Sequence, residues 1–346
     1  MNQKSYRNIL ICGGCGFMGS NFIRRLHNKY PAYKIFNLDL LTYAGNPENL
    51  SDIAVGQRYQ FVQGDIGDQS LVEDLFSTHK FEIVVNFAAE SHVDRSLVDT
   101  LPFIKTNVQG AYILLEVARN YKTPRFIYIS TDEVYGDVPR GMKTQESYPL
   151  NPTNPYAASK AAADLMVQAY IKTHNVPALI LRSSNNYGPY QYPEKLNSLA
   201  ITNLIEGRKV PVHGQGQHIR SWIHVEDFCN ALDLIMHKGY DHRIYNIAGE
   251  EKSNMEIIKK IAQTLGKNHQ EHIEYVNDRP GADFRYSPDH SLITKELSWS
   301  REHSYEESLD DLVNWYIDNR PWWEKIKQRR EFLNHYDKQS KGQYDL

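Results

Sequence analysis

The apolar run Asn8-Ile-Leu-Ile-Cys12 leads straight into Gly13-Gly-Cys-Gly16-Phe-Met-Gly19, and this junction constrains the fold more than any other stretch of the chain. A strand that ends in Gly14-x-Gly16-x-x-Gly19, followed by helical periodicity from Ser20 to Lys29, reads as the start of a dinucleotide-binding βαβ unit. The glycines let the backbone turn tightly and approach a pyrophosphate, which the N-terminus of the helix then stabilises. Asp39 lies twenty residues beyond Gly19, at the end of the next strand. A carboxylate there accepts hydrogen bonds from both ribose hydroxyls and repels a 2′-phosphate, which selects NAD over NADP. A tight turn followed by an ordinary strand-end Asp is the plainer reading, and the strand–turn–helix context argues against it.

The first half goes on alternating. Strands are expected over Tyr33–Asp39, Tyr59–Asp65, Ile83–Ala89, Phe126–Ser130 and Ala178–Arg182, with helices over Gln69–His79, Phe103–Asn120 and Pro155–His174. Continuous apolar strands separated by amphipathic helices imply a parallel sheet covered on both faces. The fold class expected is therefore α/β, a Rossmann-type doubly wound sheet with a smaller C-terminal α/β lobe. From about Tyr190 the alternation breaks down. Residues 1–189 are read as the dinucleotide domain carrying the catalytic groups, and 190–324 as a substrate lobe with some interleaving. Within that lobe Arg243–Ile247 is strand-like, and Asn254–Leu265 and Ser304–Asn319 read as amphipathic helices. Residues 325–346 are polar, with little apolar periodicity, and are expected to extend a final helix and fray.

At 346 residues, 41% hydrophobic and 23% charged, the chain has the composition of an ordinary soluble protein with a large core. A formal net charge of −3 with no long basic run disfavours nucleic acid and anionic membrane as partners. No apolar stretch has the length of a membrane span, and the first eight residues lack a signal-peptide core, so a cytoplasmic location is expected. The three cysteines, Cys12, Cys15 and Cys229, suit a reducing compartment. Cys12 and Cys15 match C-x-x-C, but they lie inside the glycine loop with no second pair to complete a metal site, and no metal is expected.

Two further elements carry chemistry. Tyr156 and Lys160 are four apart on one expected helix and share a face. An ammonium beside a phenol favours the phenolate and makes the tyrosine a usable base near neutral pH. A buried Tyr and a solvated Lys would explain an arbitrary Y-x-x-x-K, but this one follows a dinucleotide fold at the right distance. Ser130-Thr-Asp-Glu133 ends an apolar strand and puts two adjacent carboxylates where an oxidation would occur, which a simple alcohol dehydrogenase does not need. If one is an acid and the other a base, their pKa values must be pushed apart.

With these residues in hand, the chain resembles the extended short-chain dehydrogenase/reductase family, and within it the nucleoside-diphosphate-hexose 4,6-dehydratases, of which the dTDP-glucose enzymes are the best-known type. The resemblance runs from about Arg7 to about Trp323. It rests on the glycine loop, Leu41-Thr-Tyr-Ala-Gly-Asn46, Asn86-Phe-Ala-Ala-Glu-Ser-His-Val-Asp-Arg-Ser96, Ser130-Thr-Asp-Glu-Val-Tyr-Gly136, Tyr156-x-x-x-Lys160 and Asn185-Asn-Tyr-Gly-Pro-Tyr-Gln-Tyr-Pro-Glu-Lys-Leu196. It implies that Tyr156 takes the proton of the hexose 4-hydroxyl as hydride leaves C4 for NAD, with Thr131 positioning that oxygen and Lys160 holding the nicotinamide ribose. Glu133 would then remove the C5 proton while Asp132 protonates the departing 6-hydroxyl. Hydride would return to C6, giving a 4-keto-6-deoxy sugar with tightly held NAD regenerated each turnover. The resemblance also implies NAD contacts from Gly13, Gly16, Phe17, Met18, Gly19, Asp39, Thr42, Asp65, Ile66, Ala88, Ala89, Ser91 and Thr106. For the nucleotide sugar it implies Ser91, Thr131, Asn186, Glu194, Lys195, Leu196, Pro211, His213, Arg220, Asn246 and Arg279, with Pro211 and His213 beside the base. A homodimer packed through helices Phe103–Asn120 and Pro155–His174 is expected as well, both being richer in apolar and small residues than one buried face needs.

The second half departs from the dTDP-glucose pattern. His213 replaces a usual Tyr, Ser221 a usual Asp, Ala282 and Phe284 a usual His and Arg, and Leu196-Asn-Ser198 a usual Leu-Ile-Pro. These changes bring in UDP-N-acetylglucosamine beside dTDP-glucose as the candidate substrate. Three other functions share much of the pattern. A nucleotide-sugar 4-epimerase uses the fold, Tyr and Lys but does not need Asp132 and Glu133. A 5,6-dehydratase stops before hydride return and releases an exo-glycal. A nicotinamide-sensing scaffold typically loses the Tyr/Lys pair, which is intact here.

Overall fold

A computed structural model describes residues 7–54 and 56–342. The first six residues of the expected N-terminal run and the last four of the expected polar extension lie outside the described residues. Seven parallel strands form the main sheet: β1 (Asn8–Cys12), β2 (Lys34–Asp39), β3 (Tyr59–Gln63), β4 (Ile83–Asn86), β5 (Arg125–Thr131), β6 (Ala178–Ser183) and β10 (Ile244–Ile247). Their spatial order is β10-β6-β5-β4-β1-β2-β3. This is the doubly wound α/β arrangement expected from sequence. The chain reverses direction across the sheet between β1 and β4, and the carboxyl ends there open the crevice in which such sheets bind ligands.

Alternation along β1 shows why both faces are buried. Ile9 and Ile11 join one apolar cluster with Phe22 and Phe228, while Leu10 and Cys12 join another with Leu114 and Val167. The helix Pro155–His174 has the expected bounds, and it begins with Asn154 accepting a hydrogen bond from the Ala157 N–H. The expected single helix Phe103–Asn120 is broken by a π-helical turn over Ile104–Gly110. This turn holds Asn107 where its side chain accepts from the Glu90 N–H and donates to the Glu90 carbonyl and the Ser159 hydroxyl, tying the helix to the loop after β4.

The smaller lobe contains two minor sheets. β7 (Asn185–Tyr187), β9 (Ile219–His224) and β11 (Glu250–Ser253) form one, and β8 (Val210–His213) pairs with β12 (Ile273–Val276) in the other. Its core gathers Ile201, Trp222, Ile258, Leu312 and Trp323. Segments beyond residue 189 pack on the main sheet as well. β10 pairs with β6, and the helix Val225–Lys238 buries Phe228, Leu232 and Ile235 against the main sheet. The polar stretch after 324 also differs from expectation. The helices Arg320–Lys327 and Arg330–Lys341 bury Ile326 and Phe332 beside Tyr43, Tyr192 and Leu199. Few apolar residues suffice because they fall on one side of each helix, Trp323 and Ile326 on the first and Phe332 with the partly buried Tyr336 on the second, while the rest of the stretch is polar. No described helix is long and apolar enough to cross a membrane.

Candidate active site

A cavity of about 390 Å³ runs along the carboxyl ends of the main sheet and on between the two lobes. At one end the glycine loop leaves β1. Gly13 has φ +76, and a Cβ placed on it would lie 2.6 Å from the Ala88 nitrogen; one on Gly19 would lie 2.4 Å from the Gly13 carbonyl oxygen. The turn is thus built for residues without side chains, whereas a Cβ on Gly16 would touch only the Gly13 oxygen, at 3.4 Å. Asn37 braces the loop, its Oδ1 accepting from the Gly14 N–H at 3.0 Å. Asp39 is used more heavily than a ribose ligand alone would be. Its Oδ2 accepts from the Cys15 N–H and its Oδ1 from the Leu41 N–H, both at 2.8 Å. Each oxygen keeps a second lone pair for a ribose hydroxyl. Burial pushes the Cys15 thiol up to about 12, with the Asp39 charge adding to it, so the C-x-x-C pair holds no ready thiolate. Thr42, Asp65, Ile66, Ala88, Ala89, Ser91 and Thr106 line the same end, together with Phe17 and Met18.

These residues fit a dinucleotide. The cradle has room only for backbone at Gly13 and Gly19, and a helix begins at Phe17. Gly19→Ala is expected to cut the dinucleotide carried by purified protein by at least about tenfold, since the added Cβ must displace the loop backbone. Nucleotide released from denatured samples and measured by absorbance checks this.

Midway along the cavity β5 ends at Thr131, whose Oγ1 accepts from the Glu133 N–H at 3.3 Å and starts the turn Asp132–Tyr135. A strand that stops in a tight turn presents both carboxylates to the helix carrying Tyr156 and Lys160, and all five residues line the cavity. Burial raises the Asp132 pKa well above the ordinary carboxylate value, and the adjacent Glu133 charge raises it further. Burial also raises Glu133, but Arg220 and Lys195 hold it back. The order matches an acid at 132 and a base at 133.

Lys160 departs from expectation. Its Nζ donates to the Ile129 carbonyl at 2.6 Å and sits 4.4 Å from the centre of the Tyr128 ring, and burial brings its pKa down to about 7. Burial, then Glu133, pushes Tyr156 upward, opposed by its hydrogen bond with Thr131. The ammonium therefore does not lower Tyr156 in this structure. The sequence spacing places the pair on one face but carries no information about a carbonyl that competes for the lysine.

The far end is formed by Asn186, Glu194, Lys195, Leu196, Pro211, His213, Arg220 and Arg279. Most of these polar groups are already engaged. Lys195 donates to the Ser91 carbonyl at 2.7 Å, Glu194 accepts from Arg95 at 3.3 Å, and Arg279 pairs with buried Asp94. Arg220 donates to the Ile219 and Asp283 carbonyls, both at 2.8 Å, with its guanidinium 4.3 Å from the centre of the Tyr286 ring. Burial, with Arg279 nearby, drops His213 to about 4, so it is neutral at pH 7. Asn246 does not belong to this site. It is fully buried, accepts from the Tyr135 hydroxyl and donates to the Thr144 carbonyl, both within a structural network behind the sheet. No residue of β10 lines the cavity, and Tyr245 and Ile247 on either side of Asn246 join the apolar core. Glu90, His92, Tyr192, Tyr286 and Gln339 also line the cavity without having been singled out. The first two sit inside the Asn86–Ser96 motif, which could have signalled them, whereas nothing in the polar C-terminal sequence marks Gln339.

Residues 10–312 match the family model described as GDP-mannose 4,6 dehydratase. The chain belongs to that family. Among its relatives, a dTDP-glucose 4,6-dehydratase of Streptomyces niveus is 45% identical over 328 residues, covering 93% of this chain and 96% of the relative. A dTDP-glucose 4,6-dehydratase from Streptomyces venezuelae, solved with NAD and TYD bound, superposes with a TM-score of 0.90 at 42% identity, covering 92% of this chain and 100% of that one. A UDP-glucose 4-epimerase of Thermus thermophilus, solved with NAD, is similar at a TM-score of 0.82 but only 26% identity, covering 90% and 99%. That epimerase matches the fold nearly as well as the dehydratase does, so overall shape does not separate the two activities, whereas the identity is much lower.

Proposed function

We propose that this chain is an NAD-dependent hydro-lyase that converts a pyrimidine nucleoside diphosphate hexose to its 4-keto-6-deoxy derivative, with dTDP-glucose the first candidate substrate. The observation that carries this reading is the Thr131–Asp132–Glu133 turn, set in one cavity with Tyr156, where burial and the Glu133 charge raise the Asp132 pKa well above the ordinary carboxylate value. Neither carboxylate is needed for epimerisation at C4. NAD, when bound, supplies a two-electron acceptor at C4 and a donor at C6. Burial and Glu133 raise the pKa of the Tyr156 phenol, against the hydrogen bond with Thr131. With its phenolate favoured by the positive charge of bound NAD, Tyr156 takes the 4-hydroxyl proton while the Thr131 hydroxyl fixes that oxygen. Once C4 is a ketone, the C5 proton is acidic and Glu133 removes it. Asp132 gives its proton to the C6 hydroxyl, which leaves as water. Glu133 returns the proton to C5 as C6 is reduced, which completes the 4-keto-6-deoxy product. Burial of both acids keeps bulk solvent from quenching the separated protonation states.

Arg220 and Arg279 at the far end supply positive charge for a diphosphate, and Pro211 and His213 wall the nucleoside beyond it. Ala282 also lines this end, where the smaller side chain leaves space for a 2-acetamido group, so UDP-N-acetylglucosamine is the second arm of the test. The purified protein is incubated with dTDP-glucose, UDP-glucose, UDP-N-acetylglucosamine and GDP-mannose, and the products are weighed by mass spectrometry. Loss of one water from a substrate of the panel, with no added NAD, is the expected result. An unchanged mass with inverted C4 stereochemistry would point to the epimerase, and a released exo-glycal to the 5,6-dehydratase.

The protein is also proposed to be a homodimer. Val98, Leu101 and Tyr112 on the helices flanking the π turn, Ile104 at its start, and Leu165 and Met166 on Pro155–His174 are all exposed, and this run of large apolar side chains on neighbouring elements supports a subunit contact. Leu165→Glu is expected to shift the protein from dimer to monomer in light scattering, and a wild-type monomer would overturn the assignment.

A further inference from the structure

The helix Arg330–Lys341 lies beyond residue 312, where the family match ends, yet it closes one wall of the cavity. It is fastened at several points. Phe332 is buried beside Tyr192, Glu331 pairs with Arg95, and the Tyr336 hydroxyl accepts from Asn203. A helix held this firmly can place a side chain with precision.

The side chain it brings to the cavity is Gln339, 3% exposed. Its Nε2 donates to the Glu194 carbonyl at 3.2 Å, which fixes the amide's orientation. Its Oε1 is buried and accepts no hydrogen bond. A buried amide oxygen left without a donor is costly, and the cost is relieved when a ligand brings one. Three residues on, Gly342 lies against Asn277 and Val276, and β12 places Val276 opposite His213 on β8. Gln339 therefore sits between the Glu194–Lys195 turn and the strand that walls the cavity's far end.

We propose that Gln339 Oε1 accepts a hydrogen bond from the N3–H of a uracil or thymine base, making this C-terminal helix a reader of the nucleotide. The inference rests on the nucleotide-sugar reading given above and adds to it a base-specificity residue. Uracil and thymine both present a donor at N3, whereas cytosine presents a lone pair there, which an amide oxygen repels. A base that offers N3–H satisfies the buried oxygen, and one that does not leaves it unpaired.

The test is calorimetric titration of the NAD-loaded protein with UDP, dTDP, CDP and N3-methyl-UDP, repeated on Gln339→Ala. UDP and dTDP should bind the unaltered protein about tenfold or more tightly than CDP and N3-methyl-UDP, the scale of one buried hydrogen bond. In Gln339→Ala the ratio should fall to within about twofold, with thermal melting used to verify the fold. A ratio near one in the unaltered protein overturns the inference without any variant. So does an unchanged ratio in Gln339→Ala, or a loss that is equal for all four nucleotides. If neither UDP nor dTDP binds the unaltered protein, the nucleotide-sugar reading itself fails and the inference falls with it.

Discussion

Asp132→Asn should lower the rate of dehydration by about 10²–10⁴-fold, the range lost when a positioned general acid is removed. The substitution keeps the shape of the turn and leaves the Thr131–Glu133 contact in place, but an amide cannot give a proton to the C6 hydroxyl. Oxidation at C4 does not call on Asp132. Quenched reactions analysed by mass should therefore contain a sugar nucleotide lighter by two hydrogens where the wild type gives one lighter by a water. Equal loss of both steps would mean that Asp132 holds the site together instead of donating a proton. The same residues set the pH dependence. Glu133 must be ionised, and burial raises its pKa, so activity falls on acidification at a pH above that of an exposed carboxylate. Asp132 must be protonated, and burial with the Glu133 charge raises it further, so activity falls again on the alkaline side as that proton is lost. Asp132→Asn should abolish the alkaline limb and keep the acid one.

The largest expected effect on stability lies behind the site. Arg182 on β6 is buried with Asp164 on the helix Pro155–His174, paired through two hydrogen bonds of 2.9 Å. Its Nη1 also donates to the Tyr135 hydroxyl, which in turn donates to Asn246. Asp164→Ala removes the counter-charge and leaves a guanidinium buried, which costs about 3–5 kcal/mol. A lowered midpoint in urea unfolding checks this. Asp164→Ala combined with Arg182→Met should recover most of the loss, because no unpaired charge then remains. Recovery would show that the single variant suffers from the orphaned arginine and not from a lost methylene contact.

Much of this arrangement was legible in the sequence because it depends on local signals. The glycine loop, Asp39 and the Tyr156–Lys160 spacing follow from strand–turn–helix grammar, and the bounds of Pro155–His174 follow from Asn154 and the αL residue Asn175. What was not legible depends on contacts between distant segments. Asn246 turns into the Arg182 network because β10 docks on β6, a pairing that spans both halves of the chain. Lys160 points at Ile129 because β5 passes beneath its helix. The helix bearing Gln339 docks through a narrow stripe, Phe332 and Tyr336 at i and i+4 with Gln339 three further on. So few apolar residues in a charged sequence do not announce a buried face. The π turn at Ile104–Gly110 is equally silent, since Pro102 before it and Gly110 at its end do not mark an extra residue per turn inside a continuous helical pattern.

The return of the chain to supply β10 also bears on how the protein is assembled. The edge of β6 stays uncovered until residues 244–247 have been synthesised, and Arg125 on β5 has no carbonyl partners until Ile235, Met236 and Gly239 have been made. A nascent dinucleotide half would carry an open, apolar strand edge of the kind that recruits other chains. The two lobes are therefore not interchangeable modules. Grafting a different nucleotide lobe onto residues 1–189 would have to carry β10 and the helix Val225–Lys238 along with it, and a fragment cut at 189 is expected to aggregate where the whole chain folds.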